Sequence, residues 1–550
     1  MRLRSNRSAP RERGFAMIAI LSLAALVSAF LIASALNPTG AGVSNEREQR
    51  SMNALRQAKA ALIAYAASEQ WQKFKSQPSD QPGGLPCPDA DDDGSSEGAA
   101  CASALSRIGR LPWATIGTQD LRDASGERLW YAVSSNFRRL SGTTVINSDT
   151  PGLLTVTGTA PASNVVAVVI APGDALTGQD RILQHNNRLA YLEEVTVDSP
   201  VAGDSTFNTI GLFTGTANDR LIAITQAELM AAVEPVVAAR IERDIKPYIQ
   251  DYFTSWGIYP FAATFAAPDP GRIQNLYTGT SGLANGLLPL TTDTSFAGWD
   301  TSTITVTQIP PGTGSSTVTS WDCSSSTASQ IVCRIDYSGG GGDRPDIRLR
   351  ATLRNVARSF LRPAEQGDKS ITDRFGNPAN WSSQGEPPFI PPLTPTISNT
   401  LQVSGNATVT YIGRLYNAAT TSNRVFITVS VPYNPIVSST DPQAGWFIAN
   451  EWFRQTYYAG SAGFLLGGSG SCTAGGTCLT VNNLPAFYAP SNNKRLILVF
   501  AGRALDGSMR PTNNPANYLE GLNATPTDGT FEHRSGLPTS INDRVVVVSP

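Results

Sequence analysis

Val166-Ala167-Val168-Val169-Ile170 reads as a buried strand, and Ala175-Leu176-Thr177-Gly178-Gln179-Asp180-Arg181 follows it. Near the C-terminus Leu496-Ile497-Leu498-Val499-Phe500 is a similar run, followed by Ala504-Leu505-Asp506-Gly507-Ser508-Met509-Arg510. Tyr191-Leu192-Glu193 recurs as Tyr518-Leu519-Glu520, and Asn218-Asp219-Arg220-Leu221-Ile222 as Asn542-Asp543-Arg544-Val545-Val546. The offsets are 329, 327 and 324 residues, nearly constant and in the same order. Three motifs that agree in sequence and in spacing mark two copies of one strand-rich unit, over residues 120–224 and 446–548. The Asn-Asp-Arg motifs invite a catalytic reading. Asp and Arg beside a strand more often form a capped turn or a surface pair, however, and no nucleophile–base set accompanies these.

Between the copies, Thr225-Gln226-Ala227-Glu228 is a capping box that opens a helical stretch to about Phe253. Its apolar residues are Leu229, Val233, Val236, Val237, Ile241, Ile245, Tyr248 and Tyr252, and Pro235 and Pro247 are expected to kink or divide it. Arg240, Glu242, Arg243, Asp244 and Lys246 exclude a membrane span here. Residues 257–445 are rich in Thr, Ser and Gly, with alternating runs at Thr303–Thr307 and Arg424–Val429 that read as antiparallel strands. Ile347–Leu361 fits a strand or a short helix. Gly339–Gly342 lacks the Lys-Ser/Thr of a phosphate cradle, and Glu386–Pro395, with five prolines, reads as an extended connector.

The 550 residues suffice for several domains. Lys+Arg 42 against Asp+Glu 44 leaves a net charge of −2, so no general nucleic-acid binding is expected. With only His185 and His533, His-built zinc sites and His-dependent catalysis have little to work with. The six cysteines fall into sequence-local pairs, Cys87 with Cys101, Cys323 with Cys333 and Cys472 with Cys478. Six cysteines permit 15 connectivities, and separations of 14, 10 and 6 favour near neighbours. Such bridges suit a compartment outside the cytoplasm.

Met1–Gly14 is basic, with five arginines against Glu12, and Phe15–Leu36 runs 22 residues without a charge. As a helix this reaches roughly 33 Å, enough to cross a hydrocarbon core of about 30 Å, with the arginines holding the N-terminus in the cytoplasm. Three readings stand: a secretory signal cleaved at Ala33-Ser34-Ala35, a plain uncleaved anchor, and a prepilin leader. Arg13-Gly14-Phe15-Ala16-Met17-Ile18 resembles the leader of type IV pilins and type II secretion pseudopilins. The resemblance implies cleavage after Gly14 by a prepilin peptidase and methylation of Phe15. Most pilins have Glu at the fifth mature position. Here it is Ala19, which is similar to the K-type minor pseudopilin and related tip subunits. "LPCP…C…G-x-LPW-x-T-x-G…D-x-x-G…YAV", from Leu85 to Val133, resembles the globular part of proteobacterial prepilin-like proteins, so the likeness spans about residues 11–133.

The expected layout follows: leader 1–14, transmembrane helix 15–36, amphipathic spine 37–75, first globular unit 76–224, helical connector 225–256, β insert 257–445 and second copy 446–550. Leu55, Ala58, Leu62 and Tyr65 form one apolar face of the spine. The expected fold class is α+β, a long N-terminal transmembrane/amphipathic helix followed by a large β-rich head with a duplicated unit. Asp89, Asp91 and Asp93 with Gly94 match the opening of a calcium loop, the twelfth position is Ala100, and Glu97 can add an oxygen. A solvated acidic turn is the other reading; the resemblance to pseudopilins, which often bind structural calcium, adds weight to the calcium reading without displacing this one. The expected function is a non-enzymatic minor subunit, single-pass in the inner membrane with a periplasmic or extracellular head, that primes or caps a pilus or pseudopilus. Its expected partners are the prepilin peptidase and other pilins or pseudopilins. Alternatives are a tip adhesin that binds a surface, glycan or DNA through 257–445, with Trp299, Trp321 and Trp381 as candidates, and an anchored periplasmic enzyme.

Overall fold

The computed structural model describes residues 40–68, 81–97, 108–139, 144–184, 187–193, 205–210, 216–265, 277–292, 298–308, 317–338, 346–356, 371–372, 396–397, 405–414, 424–430, 436–437, 441–465, 467–505, 507, 510, 512–534 and 540–550. The chain divides into two compact units. The first joins the chain up to Tyr65 with Leu85–Arg138 and Gly152–Thr225. The second joins Ala66–Gly84, Arg139–Pro151 and Gln226–Pro550.

The expected α+β class with a long N-terminal transmembrane/amphipathic helix is corrected. The described residues are mostly β-rich with few helices, and none of those helices is long and apolar enough to cross a membrane. The first of them, α1 (Gly40–Ala67), carries Glu46, Arg47, Glu48, Arg50, Arg56 and Lys59, too many charges for a lipid interior. The leader, the apolar run 15–36 and with them Gly14, Phe15 and Ala19 lie outside the described residues.

In the first unit the strands are β1 (Ile108–Arg110), β2 (Trp130–Val133), β3 (Leu154–Gly158), β4 (Ala162–Ala171), β5 (Thr206–Thr209) and β6 (Arg220–Thr225). They form one sheet in the order β1-β2-β4-β3-β5, with β6 also on β4. Ala132, Val156, Val168, Ile170, Leu192 and Phe207 belong to a buried core on one side. The alternate residues Tyr131, Val133, Ala167 and Val169 are also fully buried, which is why the sequence runs are apolar without alternation. The helix is tied to this sheet by Arg47–Asp174 at 2.8 Å, Glu48–Arg220 at 3.1 Å and Lys59 Nζ donating to Ala223 O at 2.8 Å. Leu55, Ala58 and Leu62 are fully buried, whereas Tyr65 is half-buried.

The second unit opens with α2 (Gln226–Arg240), a π-turn at Ile241–Ile245 and α3 (Lys246–Trp256), capped by Gly257 at φ 72°. Pro247 has no N–H to give, and the wider turn falls just ahead of it, whereas Pro235 stays inside α2. Next comes β7 (Asn285–Leu287). Eight strands follow, β8 (Trp299–Gln308), β9 (Thr317–Asp322), β10 (Gln330–Ser338), β11 (Asp346–Val356), β12 (Ile371–Thr372), β13 (Thr396–Ile397), β14 (Gly405–Arg414) and β15 (Arg424–Ser430). They make two antiparallel sheets, β12-β15-β10-β9 and β13-β14-β11-β8. A short helix, Gly445–Ala449, leads to β16 (Thr456–Gly460), β17 (Thr480–Asn482), β18 (Leu496–Phe500), β19 (Thr530–Glu532) and β20 (Arg544–Ser549). The sheet order is β20-β18-β16-β7, and β17 pairs with β19.

The two units share register as well as order. Trp130 faces Ile170 and Ile170 faces Leu221; likewise Tyr457 faces Val499 and Val499 faces Val545. The parallel pair Val156–Phe207 recurs as Val481–Phe531. Gly109 opposite Tyr131 recurs as Gly286 opposite Tyr458. Both glycines are required by close approach, because a Cβ would sit 2.6 Å from Asp89 O in one and 2.1 Å from Ala263 O in the other. Tyr131 donates its hydroxyl to Pro86 O and Tyr458 donates to Pro260 O. Leu85 N–H donates to Phe137 O, and Tyr259 N–H to Phe464 O.

The correspondence reaches the helices. Arg56, Lys59 and Tyr65 of α1 recur 187 residues on as Arg243, Lys246 and Tyr252. At the same offset Arg47, bound to Asp174, becomes Glu234, bound to Arg503: the same tie with its charges exchanged. Each module is therefore a helix laid along a sheet. The second starts at Gln226, one residue short of the position equivalent to Gly40. It also carries β8–β15 as an insertion between β7 and β16, where the first module has only Leu111–Leu129.

Candidate metal centre

The acidic loop leaves the short bridge between Asp89 and Arg110, whose N–H and C=O groups bond in both directions at 3.0 and 2.9 Å. Asp89 is 1% exposed, and its carboxylate organises the turn. Oδ1 accepts from the N–H groups of Asp91 (3.1 Å) and Asp92 (2.6 Å), and Oδ2 accepts from Gly94 N–H (2.6 Å). Gly94 has φ +90°, and a Cβ there would lie 2.4 Å from the Trp113 ring, so no other residue fits. Farther along, Asp93 Oδ1 accepts from Ser95 N–H at 2.6 Å, and Glu97 Oε2 accepts from Ala90 N–H at 2.5 Å.

These contacts bring one carboxylate oxygen each from Asp89, Asp91, Asp93 and Glu97 within 4.8 Å of one another. Asp92 is turned out of the group. Its carboxylate pairs with Arg128 at 3.0 Å and lies 3.7 Å from Arg110, and its carbonyl accepts from Arg128 at 2.5 Å. Arg110 in turn stacks over Trp130 and Tyr191, at 4.4 and 4.1 Å from the ring centres. The sequence pattern groups four acids that are neighbours in the fold. It does not reveal that Asp92 is neutralised by two distant arginines, because nothing in the loop encodes them. Ala100 lies outside the described residues.

Burial pushes the Asp89 carboxyl up, partly countered by the N–H bonds from Gly94 and Asp92 and reinforced by the charges of Asp92 and Asp93. Glu97 is raised by burial too, and then by Asp89 and Asp91. An all-oxygen, anionic set of this kind is hard-cation chemistry, and a bound divalent ion would offset the burial and the neighbouring negative charge that raise both groups. The second module has Ala263 at the position of Asp89, bridged to Leu287 as Asp89 is to Arg110, so the sheet does not need the acid.

Two of the expected disulfides are formed, Cys323–Cys333 and Cys472–Cys478. The third involves Cys101, outside the described residues. The Asn-Asp-Arg motifs have a structural role. Glu193 N–H donates to Asp219 Oδ2 while Glu193 Oε2 accepts from the N–H groups of Asn218 and Asp219. In the second copy Glu520 N–H donates to Asp543 Oδ2 and Glu520 Oε2 accepts from Asn542 N–H. The recurring Tyr-Leu-Glu and Asn-Asp-Arg are thus the two halves of one latch. Comparison of the chain with protein-family models, curated proteins and solved structures gave no match.

Proposed function

We propose that the chain is a minor pilin- or pseudopilin-like subunit, held at the inner membrane by residues 15–36, that primes or caps a filament. The carrying observation is the junction of the Arg13-Gly14-Phe15 leader and its apolar run with a helix, Gly40–Ala67, that lies along a β-sheet. Its work is assembly, through packing of the N-terminal segment against other pilins or pseudopilins, with no bond made or broken by this chain once the prepilin peptidase has acted. A calcium ion on Asp89, Asp91, Asp93 and Glu97 is part of the reading, as a clamp on the loop. N-terminal sequencing tests the processing. A methylated Phe15 supports the reading, a start at Leu36 overturns it, and Gly14→Glu leaves the precursor uncut.

The tip-adhesin reading is favoured by one observation, the 42% exposure of Trp321 on β9 within the insertion. Trp299 is buried and contributes to the core instead, and Trp381 lies outside the described residues. Trp321→Ala separates the readings: an adhesin loses adherence with filament number unchanged, whereas an assembly subunit keeps adherence in proportion to filaments.

A further inference from the structure

Ile182 and Leu183 are 90% and 81% exposed, the two most exposed large apolar side chains among the described residues, and Leu189 beside them is 49% exposed. They are held out by a built turn. Asp180 Oδ1 accepts from the N–H groups of Ile182 (3.2 Å) and Leu183 (3.1 Å), and the Arg181 guanidinium donates to Gly173 O (2.7 Å), Asp174 O (3.3 Å) and Ala190 O (3.0 Å).

The position of this turn in the first unit is set by topology. The helix α1 runs alongside β6 in the same direction, with Glu48 at Arg220 and Lys59 at Ala223. β4 is antiparallel to β6 and ends at Ala171, opposite Arg220. The connection after β4 therefore emerges at the end of the sheet that faces the start of α1, where Asp174 meets Arg47. From Arg47 back to Gly40 is seven residues, roughly 10 Å of helix. Residues 37–39 then lead directly to the apolar run that ends at Leu36.

The second module supplies an internal control. Its connection has the same frame, with Arg510 donating to Gly502 O and Asn517 O and with Asn514 capping the short turn as Asn187 does in the first copy. At the places of Ile182, Leu183 and Leu189 it has Pro511, Thr512 and Ala516. The fold does not need the apolar tip, and the tip stands only on the module that an apolar run precedes.

We propose that Ile182, Leu183 and Leu189 seat in the interfacial layer of the phospholipid bilayer that holds residues 15–36, fixing the first module against the membrane surface. This rests on the anchored reading above. The test uses the full chain reconstituted in phosphatidylethanolamine/phosphatidylglycerol vesicles, with Leu183→Cys carrying an NBD fluorophore and Thr512→Cys carrying the same probe as the control. Leu183 is exposed on a turn, and Thr512 is half-buried with its Oγ1 accepting from Asn514 N–H, so folding of both labelled chains is checked by an unchanged melting curve. The expected result is several-fold brighter, blue-shifted emission at position 183 that headgroup-region nitroxide lipids quench, with a water-like probe at 512. A chain that floats with the vesicles while the 183 probe stays in water overturns this inference alone. A blue-shifted probe that nitroxide lipids do not quench also overturns it, in favour of a protein contact. A chain that does not float with the vesicles overturns both this inference and the anchored reading.

Discussion

At the residue scale, the acidic loop and the second latch make opposite uses of crowded carboxylates. Among the described residues, no arginine pairs with Asp91, Asp93 or Glu97, and the nearby Arg128 is engaged by Asp92 and Asp120. Calcium should therefore raise the melting temperature of the disulfide-bonded protein, by about 2.7 kcal/mol of stabilisation at a hundredfold excess over the dissociation constant. Glu97→Gln keeps an acceptor for Ala90 N–H but removes a charge. It should raise the melting temperature slightly in chelator and shrink the calcium effect; equal calcium effects in parent and variant would remove Glu97 from the site. In the latch, Asp543 is fully buried, and burial followed by the Glu520 charge pushes its carboxyl well above the ordinary range. A carboxyl whose folded pKa exceeds its unfolded one, about 4, stabilises the fold when protonated. Its contribution is thus present at low pH and lost as pH rises through the folded pKa. Asp543→Asn should raise neutral-pH stability and flatten the difference between parent and variant melting curves between acid and neutral pH. A variant less stable at neutral pH would show that the charged form is the one the fold uses.

At the element scale, the helix–sheet tie appears twice with different burial. Arg47 and Asp174 are 45% and 60% exposed, and such a pair contributes well under about 1 kcal/mol. Glu234 is 3% exposed at its side chain and accepts from Arg503 Nη1 (2.7 Å), Arg503 N–H (2.6 Å) and Ser148 Oγ (3.0 Å). Glu234→Ala takes the acceptor from the half-buried Arg503 guanidinium and the buried Ser148 hydroxyl and should cost about 3 kcal/mol, whereas Arg47→Ala should be close to neutral. Equal losses in urea denaturation would contradict the difference in burial. The bridge Cys323–Cys333 joins β9 to β10, where Asp322 already pairs with Arg334, so the hairpin is held by ladder and disulfide together. Its removal by Cys323→Ser with Cys333→Ser should cost about 2–3 kcal/mol at most, since it closes a loop of only 10 residues. Peptide mapping without reductant should recover 323–333 and 472–478 as linked pairs.

At the scale of the whole molecule, one chain carries two helix-plus-sheet modules, and only the first has an apolar run ahead of its helix. On the reading we propose, a repeating shaft subunit must accept neighbours above and below, and a chain that carries two modules and an inserted pair of sheets is poorly suited to that role. On the same proposal, Ala19 would withhold the acid that most pilins carry at that position. The proposed tip position predicts low copy number. Deletion should reduce filament number or secretion more than filament length, and Ala19→Glu should leave shaft growth unchanged. Antibody against residues 446–548 should mark one end of sheared filaments; decoration along the shaft would overturn the assignment.

What depends on local order can be read from the residues alone. Buried strands appear as unbroken apolar runs, nearby cysteines close short loops, and alternate aspartates share one turn. The repeat was legible wherever spacing held near 329, 327 and 324, from Val166 to Ile222 and from Leu496 to Val546. That residues 226–256 are the second module's own helical stretch emerges only once the chain is folded. The matches Arg56/Arg243, Lys59/Lys246 and Tyr65/Tyr252 stand at an offset of 187, because β8–β15 enter between β7 and β16 and break the spacing. The same holds for Asp92. Its removal from the acidic loop depends on Arg110 and Arg128, which the chain brings from 18 and 36 residues away only when β1 and β2 pair. Periodicity and short motifs are written in neighbouring residues, whereas a buried ion pair or a helix on a sheet is selected by the surface it covers, and that surface exists only in the folded chain.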